Sequence, residues 1–180
     1  MNKEEIRKLL LIKRKKIINK KDLSTIIVNK IIDLDIYKES KVIALYNSLT
    51  DEVDTDFLIK ESLKEKIVLL PKIINNKMLF IIINNKTKYK KSSFKVMEPV
   101  GEIYNGPIDL IIVPGIAFDK KLNRIGFGMG YYDKYLSNKD IYKIGICFEE
   151  QMVDLIPIDN FDIPMDMVIT ENKIYKKKTF

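Results

Sequence analysis

Residues 109–136, DLIIVPGIAFDKKLNRIGFGMGYYDKYL, decide how this chain folds. The stretch opens on an uninterrupted apolar run at 110–113, bounded by Asp109 on one side and Pro114-Gly115 on the other. Such a run ending in a turn signal reads as a strand of a parallel sheet, buried on both faces. A polar loop follows, then Arg124, then glycines at alternate positions (Gly126, Gly128, Gly130), then Tyr131-Tyr132-Asp133 at the start of a short helical segment. Four of the chain's seven glycines fall within residues 115–130. A loop so poor in Cβ atoms can lay backbone N–H groups against an anion, and a helix behind it adds a positive dipole end. An arginine and an aspartate flank the loop, the pair of types that a phosphate and a divalent cation ask for. This is the candidate site.

Working outward, residues 3–20 read as a helix with an apolar stripe of Ile6, Leu9, Leu10, Ile17 and Ile18. Its basic face, Lys3, Arg7, Lys13, Arg14 and Lys16, suits solvent or RNA. A second helix is expected over 22–37 with Asp22 as its N-cap. Residues 41–46 (KVIALY) read as a strand, followed by the turn NSLTDEVDT and a helix near 55–64. Residues 66–70 form the next strand, closed by Pro71-Lys72, and 78–83 a central or edge strand. Residues 84–95, polar and rich in lysine, read as a surface loop or hairpin, and Pro99 sets an extended turn at 97–101.

Beyond the central stretch, residues 142–148 (YKIGICF) read as a strand beside 110–113, with Cys147 as a small core residue. Residues 151–166, with Pro157 and Pro164, read as irregular; 167–170 as a short closing strand; 176–178 as a basic tail. Strands alternate with helices, without internal repeat or linker. That predicts an α/β fold, a single layered domain over residues 1–180 with a mostly parallel central sheet.

The 180 residues carry 32 Lys+Arg against 25 Asp+Glu, a formal charge of +7. The surplus suits anionic ligands, but lysine is abundant together with isoleucine and asparagine, as in AT-rich genomes, so bulk charge identifies no partner. There is no histidine, which leaves carboxylates, Lys/Arg, Tyr or the ligand itself to carry any acid–base chemistry. One cysteine excludes an internal disulfide and fits a reducing compartment. No signal-like apolar segment follows Asn2-Lys3-Glu4-Glu5, and the apolar runs are far too short to span a bilayer. The expectation is a cytoplasmic protein without a membrane partner.

The glycine loop matches neither G-x-G-x-x-G nor a P-loop, since no G-K-[ST] follows. Alone, G-x-G-x-G decides nothing. The ordered set Pro114, Gly115, Ala117, Phe118, Asp119, Arg124, Gly126, Gly128, Gly130, Tyr131, Tyr132, Asp133, Tyr135 and Leu136 decides more. It resembles the signature PGxAFDxxGxRLGxGxGYYDxYL of the 5-formyltetrahydrofolate cyclo-ligase family, also called methenyltetrahydrofolate synthetase. The resemblance runs from end to end. Lys3 and Arg7 match the family's K-x-x-x-R, Leu45-Tyr46 with residues 52–55 its strand-plus-EvdT segment, and Pro71-Lys72 its P-K. Glu98-Pro99 match its E-P, and residues 166–171 its closing aspartate before V-[IV]-T-E.

The resemblance implies a Rossmann-like fold of the phosphosugar-isomerase and CoA-transferase kind. It also implies the ATP- and Mg²⁺-dependent closure of 5-formyltetrahydrofolate to 5,10-methenyltetrahydrofolate, with release of ADP and phosphate. In this reading ATP is held by Lys3, Glu4, Glu5, Ile6 and Arg7, and by Arg124, Ile125, Gly126, Phe127, Gly128, Met129, Gly130, Tyr131 and Tyr132. The folate is held by Glu52, Phe57, Phe127, Gly128, Met129, Gly130 and Tyr131. Mg²⁺ falls to Asp133 and Asp166, and Arg124 is the catalytic residue that stabilises the transferring phosphoryl group. The implied partners are small molecules, with no nucleic acid, and the implied state is a monomer.

This chain departs from the family pattern at three places. Leu122 stands where the family has glycine, so the turn's positive φ is expected at Leu122 or at the more tolerant Asn123. Phe161-Asp162 replaces His-Asp, and Met129 replaces the lysine of some members. Two other readings stand beside the main one. A phosphosugar-isomerase or CoA-transferase-like enzyme on a similar fold lacks its carboxylate nucleophile motif here. A basic RNA-binding protein, its loop aromatics stacking on bases, lacks an RNA-binding motif.

Overall fold

The computed structural model describes residues 1–93 and 95–178. Its helices are α1 (Lys3–Lys16), α2 (Lys20–Asp33), α3 (Asp35–Glu39), α4 (Asp56–Ser62) and α5 (Tyr131–Leu136). Its strands are β1 (Val42–Ala44), β2 (Ile67–Ile74), β3 (Lys77–Ile83), β4 (Lys88–Lys91), β5 (Met97–Val100) and β6 (Leu110–Pro114). They continue with β7 (Ala117–Asp119), β8 (Arg124–Ile125), β9 (Tyr142–Ile146), β10 (Met152–Val153), β11 (Met167–Ile169) and β12 (Ile174–Lys176).

The main sheet has seven strands in the order β12-β11-β9-β6-β1-β2-β3. Its inner strands run parallel, and antiparallel β3 and β12 close the two edges. In β6, Leu110 and Ile112 join the core beneath α2 and α4, while Ile111 and Val113 join the opposite core with Phe80, Phe118 and Leu136. A strand covered on both sides has no position for a polar side chain, hence the unbroken apolar run. The β3 edge is not bare: Ile82 donates to Glu102 O (3.1 Å) and Tyr104 to Phe80 O (2.8 Å), which blunts it against pairing with other chains. A smaller sheet, β10-β7-β8, lies beneath α1, with Ile6 and Leu10 packed on Ile116, Ala117 and Ile125.

Phe118 sets how the two sheets meet. A Cβ at Gly115 would stand 2.5 Å from its ring, and one at Gly145 2.4 Å from it. The ring therefore enters the space those two glycines leave open at the ends of β6 and β9.

Several sequence expectations need correction. Helix α2 starts at Lys20 with Asn19 as N-cap at φ +58°, so Asp22 is a first-turn acidic residue and not the cap. The expected second helix breaks at Leu34 into α2 and α3. Strand β2 continues through Pro71 to Ile74, since pairing with β1 ends at Leu69 and proline is tolerated where only one neighbour remains. Residues 97–100 form a strand opposite β4, not a turn, and β10 interrupts the irregular segment 151–166. The closing strand is β12, reaching into the expected basic tail. The expected 3–20 helix ends at Lys16; of its stripe Ile6, Leu10 and Ile17 are buried as expected, but Leu9 and Ile18 are exposed and Arg14, expected on the basic face, is buried.

The positive φ at the departure from the family pattern stays on Leu122, at +70°. The buried Asp119 carboxylate holds that turn, accepting from Lys121 N (2.9 Å), Asn123 N (2.9 Å), Asn123 Nδ2 (3.0 Å) and Ile156 N (2.9 Å). Left-handed backbone costs a leucine about 1–2 kcal/mol. Burying its side chain, 1% exposed beside Phe118 and Met165, contributes roughly 1.5–3 kcal/mol. Packing wins. Leu122→Ala should therefore lose about 2–4 kcal/mol in urea denaturation, as it keeps the strain and loses the contacts. Leu122→Gly, though smaller, should be less destabilised than Leu122→Ala by about 1 kcal/mol. The usual order, alanine better than glycine, would refute this account.

Candidate functional site

Counting only the parallel strands along the chain (β1, β2, β6, β9, β11), their order in the sheet is 2-1-3-4-5, which reverses direction between β1 and β6. Ligands of open α/β sheets bind outside the carboxyl ends of the strands at such a point. A cavity of about 1120 Å³ lies there, lined by Tyr46 and Asn47 after β1 and by Pro114 and Gly115 at the end of β6. The β7–β8 turn brings Arg124 to it, and the glycine loop with the start of α5 forms one wall. The β4–β5 hairpin forms the facing wall through Ser92, Val96, Met97 and Glu98, tied to β1's end by Asn47 Nδ2, which donates to Met97 O (2.9 Å).

Of the expected site residues, Lys3, Arg7, Glu52, Arg124, Ile125, Gly126, Phe127, Gly128, Met129, Gly130, Tyr131, Tyr132 and Asp133 line this cavity. Others do not. Glu5 exchanges hydrogen bonds with Asn2 in a capping box, Glu4 pairs with Lys8, and Ile6 packs in the α1 core. Phe57 projects from α4 at 55% exposure, away from the cavity lining. Asp166 is also absent from the lining: its carboxylate accepts from Lys143 N (2.8 Å) and pairs with Lys143 Nζ (2.7 Å) where β9 begins, at the amino ends of the parallel strands. Sequence reasoning missed Asn47, Met97 and Asp159, none of which carries a local signal of its own, and noted Asp162 only as the aspartate of the family's His-Asp pair.

Glycines in the loop serve different ends. Gly128 (φ +100°) and Gly130 (φ +67°) have backbone that side chains with a Cβ rarely adopt. Gly126 instead clears space: a Cβ there would stand 2.6 Å from Arg124 Nη1. Arg7 donates from Nε to Gly126 O (2.8 Å) and so holds the loop from α1. The α5 helix behind the loop has six residues, with Gly130 as its N-cap.

The charges are already engaged with one another. The Arg124 side chain is 6% exposed and donates to Pro114 O (3.2 Å) and Asp133 Oδ2 (3.4 Å), with Tyr132's ring centre 5.4 Å from its guanidinium carbon. Its Nε is buried and makes no hydrogen bond among the described residues. Burial lowers Arg124's pKa, against the pull of Asp133, and raises that of the Tyr132 phenol well above its usual range. Lys3 contacts both Asp159 and Asp162. Burial works against its charge, but those two hydrogen bonds outweigh it and hold the ammonium above its ordinary value. Glu52 is 8% exposed and accepts from Leu49 N (2.8 Å). Burial raises its pKa, opposed by that bond and by Arg14.

The sequence model of the 5-formyltetrahydrofolate cyclo-ligase family matches residues 1–171. This chain belongs to that family. The mouse 5-formyltetrahydrofolate cyclo-ligase is 33% identical over 168 residues, covering 83% of this chain and 82% of its own. The Mycoplasma genitalium cyclo-ligase is 33% identical over 177 residues, covering 94% and 98%. Among solved structures, the Aquifex aeolicus 5,10-methenyltetrahydrofolate synthetase is similar with a TM-score of 0.88 at 36% identity, covering 100% of this chain and 96% of that one. The Mycoplasma pneumoniae synthetase gives 0.76 at 28% identity, covering 95% and 99%. The cavity thus carries cations and a glycine loop on one side and the buried Glu52 carboxylate on the other.

Glu52 yields a test independent of any ligand. A carboxyl whose folded pKa lies above its ordinary value of 4.5 binds its proton more tightly in the folded state. Its contribution to stability is then fully present below that value and is lost as pH rises through the window above it. Stability measured by urea melts from about pH 4 to about pH 7 should fall less steeply, or rise more, in Glu52→Gln than in the parent. Parallel curves would show that Glu52 is not desolvated as described.

Proposed function

We propose that this chain closes 5-formyltetrahydrofolate to 5,10-methenyltetrahydrofolate at the expense of ATP, releasing ADP and phosphate. The observation that carries this reading is one cavity with two unlike walls. Arg7, Arg124, Lys3 and the glycine loop offer donors to a triphosphate, while Glu52 offers acceptor oxygens to the N–H edge of a pterin. The formyl group then lies between them, near the loop. Reaction there needs positioning and charge stabilisation more than covalent help, so the absence of histidine is no obstacle.

The formyl oxygen takes the γ-phosphoryl group and ADP leaves. N10 then attacks the formyl carbon, loses its proton, and phosphate departs with the formyl oxygen. Arg124 acts in the first step. Its guanidinium is fixed by Pro114 and Asp133 before any ligand arrives, and its buried Nε remains to donate to a phosphoryl oxygen. Arg7 keeps Gly126 and the loop in register with the phosphates. Lys3 would exchange Asp159 or Asp162 for phosphate oxygens. The half-buried ring of Tyr132, its phenol protonated, lies against the Arg124 guanidinium.

Mg²⁺ belongs to this reading as the partner of ATP, and the donors present fit it in one form. No group of three or more metal-ligating acidic, Cys or His side chains exists among the described residues. Mg²⁺ bound through phosphates needs only one or two carboxylates, and Asp133 is in the cavity to supply one. Bound there, it would neutralise phosphate charge. Asp166, held by Lys143, is not proposed as its ligand. A buried free thiol and small-molecule substrates fit a cytoplasmic monomer.

Protein mixed with Mg·ATP and 5-formyltetrahydrofolate should generate the near-ultraviolet absorbance of the methenyl product; ATP-independent or absent product would refute the reading. Arg124→Ala should lower kcat about 10²–10³-fold with a far smaller change in folate affinity. In a magnesium titration of the rate, Asp133→Asn should need more Mg²⁺ for half-maximal activity. Asp166→Asn should leave that midpoint in place and lower only thermal stability; a shifted midpoint would return Asp166 to the metal.

A further inference from the structure

Arg14 is a buried cation that the mechanism above leaves without a task. It is 1% exposed and is not part of the cavity lining. Its Nε and Nη2 each lie 3.1 Å from Asp51 Oδ2, and Nη1 is 3.8 Å from Glu52 Oε1. The guanidinium carbon stands 5.9 Å from the ring centre of Phe127. Nη1 is buried and makes no hydrogen bond among the described residues. Such a group is expensive to keep folded, and an exposed arginine on α1 would avoid the cost. What it touches is informative. Glu52 belongs to the segment after β1 and Phe127 to the glycine loop, and both line the cavity while Arg14 reaches them from behind.

We infer that Arg14 is a positioning residue that couples the two ligand subsites: it keeps Glu52 ionised and aimed at the folate while steadying Phe127 and the loop that meets ATP. This rests on the folate reading of Glu52. Leu49 N already occupies Glu52 Oε2, which leaves Oε1 to accept from the ligand. A cation 3.8 Å from Oε1 is near enough to favour its charge and too far to use up its lone pairs. Asp51, Tyr46 and Tyr132 also face Glu52, and none of them is a cation. Asp51 holds the guanidinium on its far side, so Arg14 cannot swing into the cavity to compete with substrate.

The test is calorimetric binding of 5-formyltetrahydrofolate from about pH 5 to about pH 8, with and without a non-hydrolysable ATP analogue. It compares the parent with Arg14→Met and Arg14→Lys. In the parent, the analogue should tighten folate binding. Arg14→Met should weaken folate binding about tenfold at neutral pH, move its acid-side loss of affinity to higher pH, and abolish the gain from the analogue. Arg14→Lys, which keeps the charge without the planar fork, should restore the acid limb but not the gain. If Arg14→Met does not fold, Arg14→Lys decides alone: loss of the gain supports the inference, and its retention overturns it. Parental affinity, acid limb and gain in Arg14→Met would also overturn it, leaving the folate reading intact. A parent that binds no folate removes both.

Discussion

The ring of Phe118 occupies the space that Gly115 and Gly145 leave at the carboxyl ends of β6 and β9, and it is fully buried there. Directly across the β7–β8 ladder from Phe118 stands Arg124. An apolar anchor and a charged effector thus share one rung: hydrophobic burial fixes where the guanidinium sits, although the guanidinium itself gains little from being buried. A side chain at either glycine would push the ring, the ring would push β7, and the cation at the centre of the site would move with it. The rest of the cavity is arranged around that fixed point, with Arg7 holding the loop that follows and the β4–β5 hairpin closing the opposite side.

Charge is balanced locally before any substrate enters. Lys3 lies between Asp159 and Asp162, Arg124 against Asp133, and Arg14 against Asp51. Each pair is at least partly withdrawn from water, where such contacts are strong but must repay desolvation. The sheet's apolar core makes that affordable. Arg124 is thereby oriented in advance, so that under the proposed reading it needs little rearrangement to meet a phosphoryl group, the condition under which electrostatic stabilisation is most effective.

Much of this was legible in the sequence, for identifiable reasons. Strand β6 announces itself because burial on both faces forbids polar residues, and the glycine loop because its backbone and close contacts exclude side chains. Helix α1 was only half legible. Counting apolar residues gave Leu9 and Ile18 to the core, yet Ile6, Leu10 and Ile17 set the phase, and Arg14 falls in step with them. A cation in phase with an apolar stripe was the available signal. Pro71 looked like a strand end because propensity sees its missing N–H and not the neighbour that has already departed. Asp166 and Phe57 were beyond reach for a different reason: which end of a parallel strand a residue serves, or which way a helix turns, is decided by packing that no local motif records.

Lys3 meets its two carboxylates at residues 156 and 159 positions further along the chain. Cavity residues come from several separate segments between them, within 46–52, 71–78, 92–98 and 114–137. A chain ending before Asp159 leaves Lys3 without either of these carboxylates. During synthesis Lys3 has neither carboxylate until residues 159–162 are added, after every strand of the main sheet except β11 and β12. The one ammonium of α1 that lines the cavity thus gains its fixed place only when the chain is nearly finished.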